Sequence, residues 1–148
     1  MSDRLKPAGA RILAETRVAH AAEALSAAIA EIAPRSDLIV VFGASAITDR
    51  RDVIPTAVEM AGGVIEQLGM PVDPGNLLLI ASLNGKPVLG APGCARSPKE
   101  NGFDWVLQRL LAGVPVTSAD IRRMGVGGLL MEIVSRGQPR EGDGAAHD

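Results

Sequence analysis

One short run, Leu38 to Phe42, constrains the fold of this chain more than any other feature. It holds five apolar, β-prone residues in a row, which is typical of a strand covered on both faces in a parallel sheet. An amphipathic helix is predicted before it, because apolar residues recur three or four apart from about Val18 to Ile32. Pro34 then separates helix from strand. This order predicts an α/β fold, and we expect a three-layer sandwich with a mostly parallel sheet and a β-hairpin.

The next segments continue the alternation of helices and strands. Asp52 is placed as the N-cap of a helix that starts at Val53 and ends before Gly62-Gly63. A short strand is predicted at Val64 to Leu68, and the segment Pro71 to Asn76 is rich in turn-forming residues. The connection after the short strand is therefore not helical.

A β-hairpin is predicted in the middle of the chain. Two apolar runs, Leu77 to Leu83 and Pro87 to Ala91, flank the sequence Asn84-Gly85-Lys86. Asn-Gly between two such runs is the strongest short-range signal for a hairpin, because both residues tolerate a positive φ. We therefore expect these two strands to pair antiparallel.

Two capped helices are predicted in the C-terminal half. Ser97-Pro98-Lys99-Glu100 has the pattern of a capping box and would open a helix that runs to about Leu111. Thr117 to Asp120 has a second such pattern. We predict one folded domain over residues 1–134 and a disordered tail over residues 135–148, which is rich in Gly, Pro and charge.

Composition excludes several classes of function. The chain has one Trp, two Phe, no Tyr and a net charge of -2, which argues against nucleic-acid partners, since these need basic faces and stacking aromatics. Its one cysteine, Cys94, has no partner for an internal disulfide, and no secretory signal is present. The apolar runs are too short to cross a bilayer. We expect a cytoplasmic protein without a membrane span.

Two glycine-containing turns are the candidate binding elements. Gly43-Ala44-Ser45 directly follows the central strand, and Ala91 to Ser97 follows the second strand of the hairpin. Small residues there let backbone N–H groups approach an anion, and Ser45 and Arg96 add a hydroxyl and a cation. Because ligands of open α/β sheets bind beyond the carboxyl ends of strands, the two turns could form one phosphate pocket. Each could equally be only a tight turn or a helix cap.

The other polar residues give weaker signals. Asp49 and Asp52 could be functional acids, caps or halves of surface ion pairs, which contribute little. Cys94 lacks a histidine to act as its base, because His20 is expected inside the first helix and His147 in the tail. No cluster of His, Cys and carboxylates has the spacing of a metal site. The sequence therefore predicts no metal site of its own.

Four segments in register resemble a known family over roughly Asp37 to Gly113. They are Phe42-Gly43-Ala44-Ser45, Asp52, Pro74-Gly75-Asn76 and Ala91-Pro92-Gly93-Cys94-Ala95-Arg96-Ser97. They are similar to the motifs of the molybdopterin-binding domain shared by gephyrin and the bacterial molybdopterin molybdenumtransferases and adenylyltransferases. The likeness is greatest to a bacterial subgroup in which this domain precedes a nucleotidyltransferase domain. The resemblance implies a molybdopterin-binding fold and a role in molybdenum cofactor biosynthesis.

The chain departs from the family pattern at several positions. Phe42 replaces a Gly, and the charged stretch between Ser45 and Asp52 is longer than in the family. Asn76 stands where the family commonly has Lys, and Cys94-Ala95 replaces Asn-Pro. These changes remove groups that the transferases would use, so we lean towards a chain that is not an enzyme by itself.

The segment before the first predicted helix is shorter than in the family. The family opens with a strand, a turn and a helix, whereas only Met1 to Thr16 precedes the first predicted helix here. We therefore expect this first βα unit to be missing or truncated. A sheet edge and part of the pocket would then be uncovered unless another chain or a longer N-terminal stretch supplies them.

Three hypotheses of function follow. The first is a module that binds molybdopterin, or the molybdenum cofactor, by its phosphate and presents it to a nucleotidyltransferase or a molybdoenzyme. The second is an adenylyltransferase or molybdenum-insertion enzyme, in which Asp49 or Asp52 would arrange Mg on the phosphates. The third is a docking or homo-oligomerisation fragment. The candidate cofactor-binding residues are Gly43, Ala44, Ser45, Pro74, Gly75, Asn76, Pro92, Gly93, Arg96 and Ser97.

Overall fold

The computed structural model describes residues 1–125. Its helices are α1 (Ser2–Leu5), α2 (Ala22–Ile32), α3 (Val53–Met60), α4 (Gly102–Leu111) and α5 (Ser118–Arg123). Its strands are β1 (Ile39–Phe42), β2 (Val64–Leu68), β3 (Leu79–Leu83) and β4 (Lys86–Ala91). Short 3₁₀ turns occupy Lys6–Ala8, Ala33–Arg35 and Gly93–Arg96. The predicted tail and the end of the predicted domain, residues 126–148, lie outside the described residues.

The four strands form one sheet in the order β1-β4-β3-β2. β1 and β4 are parallel, whereas β3 pairs antiparallel with both β4 and β2. The α/β class and the hairpin are confirmed, but the described sheet is mixed rather than mostly parallel. The reason lies in the connections: β3 is joined to both of its neighbours by turns without a crossover helix, and such connections reverse the strand direction.

The sheet is covered on both faces, as the continuous apolar strands predict. On one face it packs against α2 and α3, and on the other against α1, α4 and α5. Neighbouring residues of β3 point to opposite sides: Leu79 packs towards α3 and Ile80 towards α4, and both are buried. The largest buried side chain on the α4 face is Phe103. This arrangement is the predicted three-layer sandwich.

Helix α2 begins at Ala22, four residues later than predicted. The segment before it, residues 11–19, is extended and exposed, and Val18 retains 41% of its accessible surface. No neighbouring surface within residues 1–125 covers Val18, so another helical turn at this end would bury little apolar area. The spacing of apolar residues therefore predicted a helix that begins too early. His20 consequently lies outside the helix, contrary to prediction.

Helix α4 begins at Gly102, not after Ser97. Asn101 is its N-cap and accepts a hydrogen bond from the Phe103 amide at 3.1 Å, while Asp104 accepts one from the Asn101 amide at 2.9 Å. This is a capping box with both side chains buried. The predicted box at Ser97 is wrong, because the later start is the one that carries Phe103 into the core.

The strand predicted to be central, β1, lies at one edge of the described sheet, whereas most of the remaining local predictions are confirmed. Thr117 and Asp120 form the predicted capping box of α5. Asn84 and Gly85 form the two-residue hairpin loop, with φ of 51° and 76°, as a type I′ turn requires. Asp52 occupies the N-cap position of α3, although its side chain makes no capping hydrogen bond to that helix.

Candidate functional site: two turns at the ends of parallel strands

The parallel pairing of β1 and β4 brings the two predicted turns together. Phe42 at the end of β1 lies in register with Ala91 at the end of β4. The turns that follow these residues therefore leave the same edge of the sheet side by side. Arg96 joins them directly, because its Nη2 donates a 2.6 Å hydrogen bond to the carbonyl oxygen of Gly43. The two turns thus belong to one site, which we call the paired-turn site.

The first turn is held tightly against the sheet and α3. A Cβ atom at Gly43 would lie 2.8 Å from Ile54 Cδ1 and 3.0 Å from the carbonyl oxygen of Ser45, so a larger residue would force these neighbours to shift. Further along, the buried side chain of Ile47 packs where a Cβ at Gly90 would be, with 2.6 Å between them. These contacts fix the backbone on both sides of Ser45 and leave Ser45 itself exposed.

Ala44 and Ser45 present the polar groups of this turn. Neither amide donates a hydrogen bond to another group within residues 1–125. The Ser45 hydroxyl lies 3.2 Å from Nε2 of His20. Sequence reasoning missed this neighbour of the candidate site, because His20 was assigned to a helix and lies 25 residues before Ser45.

The two acids of the following loop are engaged locally. Asp52 accepts hydrogen bonds from the amides of Thr48 and Asp49 at 2.6 and 2.9 Å. The pKa of Asp52 is lowered, first by the Asp49 amide and then by the Thr48 amide, since both donate to the charged carboxylate. Asp49 accepts from the amide and Nε of Arg51 at 2.8 and 3.1 Å. Both carboxylates therefore shape the loop.

The second turn is held from beneath by the N-terminal helix. It forms the 3₁₀ turn Gly93–Arg96, with Ala95 buried. Arg4 donates from Nη1 to the Ala95 carbonyl at 2.9 Å and from Nη2 to the Ser97 carbonyl at 2.7 Å. The Ser97 hydroxyl accepts from the amide of Lys99 at 3.2 Å. Gly93 is exposed, whereas Pro92 is buried.

Arg96 is the cation of the paired-turn site. Its guanidinium carbon lies 5.6 Å from the centroid of the Phe42 ring, in a cation–π contact. Within the described part of the chain it makes no salt bridge with a carboxylate. A guanidinium that is fixed by a carbonyl and a ring retains N–H donors and its full charge for an anion.

The third predicted segment, Pro74-Gly75-Asn76, packs on the start of α4. The Pro74 carbonyl accepts from the amide of Gly102 at 2.8 Å, and a Cβ at Gly75 would lie 2.8 Å from that same amide nitrogen. Gly75 also has a φ of 125°, which strongly favours glycine. The backbone of Asn76 accepts from Met70, and its side chain is exposed. In these contacts the segment supports α4.

Cys94 belongs to the second turn and is half-buried. Its carbonyl accepts from Nδ2 of Asn101 at 3.4 Å. Burial is the largest influence on its thiol and raises the pKa. A raised pKa keeps the sulfur protonated and poorly nucleophilic at neutral pH. Within residues 1–125, no three side chains of the metal-binding types His, Cys, Asp and Glu meet.

Comparison with known families identifies the family of the domain. The model of the probable molybdopterin binding domain matches residues 1–121. The chain belongs to this molybdopterin-binding domain family. No curated protein and no solved structure matched the chain. The match confirms the resemblance to this domain family and gives the domain a role related to molybdopterin binding or molybdopterin-related biosynthesis. None of the helices in residues 1–125 is both long and apolar enough to span a bilayer.

Proposed function

We propose that this domain binds molybdopterin, with or without molybdenum, by placing its phosphate in the paired-turn site. The observation that carries the proposal is the hydrogen bond from Arg96 to the Gly43 carbonyl, which holds the two turns beside each other. Phosphate binding needs several donors that converge on one point, because each oxygen accepts more than one hydrogen bond. The paired turns place such donors at one edge of the sheet.

Three kinds of donor support an anionic ligand. Ala44 and Ser45 provide backbone amides that have no other acceptor in the described residues. The Ser45 hydroxyl provides a side-chain donor, and a ring nitrogen of His20 lies beside it. Arg96 provides a permanent positive charge. Together these groups suit a phosphate monoester better than they suit a neutral ligand.

The acids of the neighbouring loop carry the enzymatic alternative. To arrange Mg on a phosphate, a carboxylate needs free oxygens that face the ligand. The hydrogen bonds of Asp52 end on Oδ2 and those of Asp49 end on Oδ1. The second oxygen of each carboxylate accepts no hydrogen bond within residues 1–125, so loss of turnover with retained binding in Asp49→Asn or Asp52→Asn would identify an enzyme.

Calorimetric titration of the full chain with molybdopterin tests the proposal. We expect saturable binding with one site per chain, weakened roughly tenfold or more by Ser45→Ala and by Arg96→Ala, because each loses a donor to a charged acceptor. Arg51→Ala is the matched control, since it removes an exposed positive charge that faces Asp49 instead. If Arg51→Ala binds molybdopterin as weakly as Arg96→Ala does, the loss of affinity reflects the net charge of the chain and not a contact between Arg96 and the phosphate.

Inorganic phosphate serves as a competitor in the same titrations. It should displace molybdopterin from the wild-type chain at high concentration and should lose that ability in the Ser45→Ala variant. Absence of molybdopterin binding by a correctly folded wild-type chain would refute the proposed function and favour the docking or oligomerisation role.

A further inference from the structure

Phe42 is an exposed aromatic residue in an unusual place. The chain has only one Trp and two Phe, and the other Phe, Phe103, is completely buried. Phe42 instead keeps 39% of its accessible surface at the end of β1, an edge strand of the described sheet, directly before the first turn. It also stands where the similar family pattern has Gly. A partly exposed aromatic ring beside an anion site is available for contact with a ligand.

The ring is held in a fixed orientation by two neighbours. Arg96 lies over it, with its guanidinium carbon 5.6 Å from the ring centroid. Phe103 contacts it from the core, with 6.4 Å between ring centroids and an angle of 56° between the rings. Arg96 is in turn fixed by the Gly43 carbonyl. The exposed part of the Phe42 ring is therefore a rigid apolar surface, which favours binding because little side-chain freedom is left to lose.

We propose that Phe42 is a specificity-determining residue that contacts the planar heteroaromatic ring of the ligand whose phosphate occupies the paired turns. The inference rests on the proposed function and adds to it the residue that contacts the ring of that ligand. Ser45 lies three residues from Phe42, and Arg96 contacts both Phe42 and the first turn. One molecule with a phosphate and a ring can thus reach both surfaces.

The test compares three probes on four proteins. The probes are molybdopterin, 6-hydroxymethylpterin as the ring without phosphate, and glycerol phosphate as the phosphate without a ring. The proteins are the wild-type full chain, Phe42→Leu, Phe42→Tyr and Val64→Ala. Phe42→Leu keeps an apolar side chain but removes the aromatic ring, whereas Phe42→Tyr keeps the ring. Val64→Ala is the control, because Val64 is an exposed apolar residue on β2, at the other edge of the described sheet.

We expect Phe42→Leu to weaken molybdopterin binding about tenfold and to abolish the quenching of 6-hydroxymethylpterin fluorescence, because aromatic stacking is lost. Glycerol phosphate should lose less affinity in Phe42→Leu than molybdopterin does, because Arg96 is still held by the Gly43 carbonyl, and Phe42→Tyr and Val64→Ala should resemble wild type with every probe. Equal affinity of wild type and Phe42→Leu for molybdopterin would overturn the role of Phe42 while leaving the proposed function intact. Failure of the wild-type chain to bind molybdopterin would instead overturn both.

Discussion

Arg4 and Asp104 form a buried salt bridge that ties α1 to the first turn of α4. Their side chains are 16% and 8% exposed. Asp104 uses its second oxygen to accept the Asn101 amide, so the same carboxylate caps α4 and pairs with Arg4. The remaining donors of Arg4 hold the carbonyls of the second turn. One guanidinium thus fixes the helix start and the candidate binding turn relative to each other.

Replacing Arg4 should destabilise the whole domain. In Arg4→Met the Asp104 carboxylate would stay buried without its cation, and removal of one partner from a buried pair costs about 3 kcal/mol or more. We expect the midpoint of urea unfolding, followed by circular dichroism, to fall accordingly. Asp104→Asn combined with Arg4→Met should cost less than the sum of the single changes, because the two side chains interact.

Lys6→Met is the control for that experiment. Lys6 is also paired with an acid, Asp3, but both side chains are largely exposed. Exposed pairs contribute little, since water solvates the separated charges well. The unfolding midpoint of Lys6→Met should stay at the wild-type value. If Arg4→Met also stays there, the salt bridge with Asp104 does not contribute to stability.

Two glycines of the paired-turn site should respond differently to alanine. Gly43→Ala places a methyl group 2.8 Å from Ile54 Cδ1 and 3.0 Å from a backbone oxygen. Overpacking of this kind costs roughly 1 to 3 kcal/mol. A Cβ at Gly93 meets nothing within 4 Å, and its φ is not positive. Chemical denaturation should therefore show a loss for Gly43→Ala and almost none for Gly93→Ala, and equal losses would contradict this geometry.

The sequence predicted the elements whose signals are local. The hairpin loop follows from Asn84-Gly85, and the cap of α5 from Thr117 and Asp120, because each signal and its structure lie within a few residues. The meeting of the two turns was also predictable, since parallel neighbours end at the same sheet edge. The mixed strand directions were harder to foresee, because turn composition alone does not reveal which strands become neighbours.

Contacts between distant segments left no pattern in the sequence. Arg4 meets Asp104 across 100 residues, and His20 meets Ser45 across 25. Neither pair produces a periodicity or a motif, so sequence reasoning treated His20 as an ordinary helix residue. The cap of α4 was missed for a related reason: Ser97 and Asn101 are both good caps, and only the burial of Phe103 decides between them.

The choice between those two caps is directly measurable. Asn101→Ala removes the acceptor of the Phe103 amide and should lower stability by about 1 to 2 kcal/mol, as loss of an N-cap does. Ser97→Ala removes only a hydroxyl that accepts from Lys99 in a turn and should change stability much less. Thermal unfolding of both variants beside wild type distinguishes them. A larger loss of stability for Ser97→Ala would indicate that helix α4 begins after Ser97.

The acid sensitivity of the loop after the paired-turn site should depend on Asp52. Its folded-state pKa lies below the ordinary value of 3.8, because the amides of Asp49 and Thr48 donate to the charged form. A lowered pKa means that the carboxylate stabilises the folded state above pH 3.8 and that this contribution disappears as the pH falls through the folded-state pKa.

Asp52→Asn isolates this contribution from other acid effects. The variant cannot ionise at this position, so the stability difference between wild type and Asp52→Asn should be largest above pH 3.8 and should change in favour of the variant as the pH is lowered. Unfolding curves recorded from neutral pH down to about pH 2.5 would show the change, and an NMR titration of the Asp52 carboxyl carbon would locate the pKa. A difference that is independent of pH would mean that the Thr48 and Asp49 amides do not hold the carboxylate in solution, and the loop that follows Ser45 would then be less ordered than its hydrogen bonds indicate.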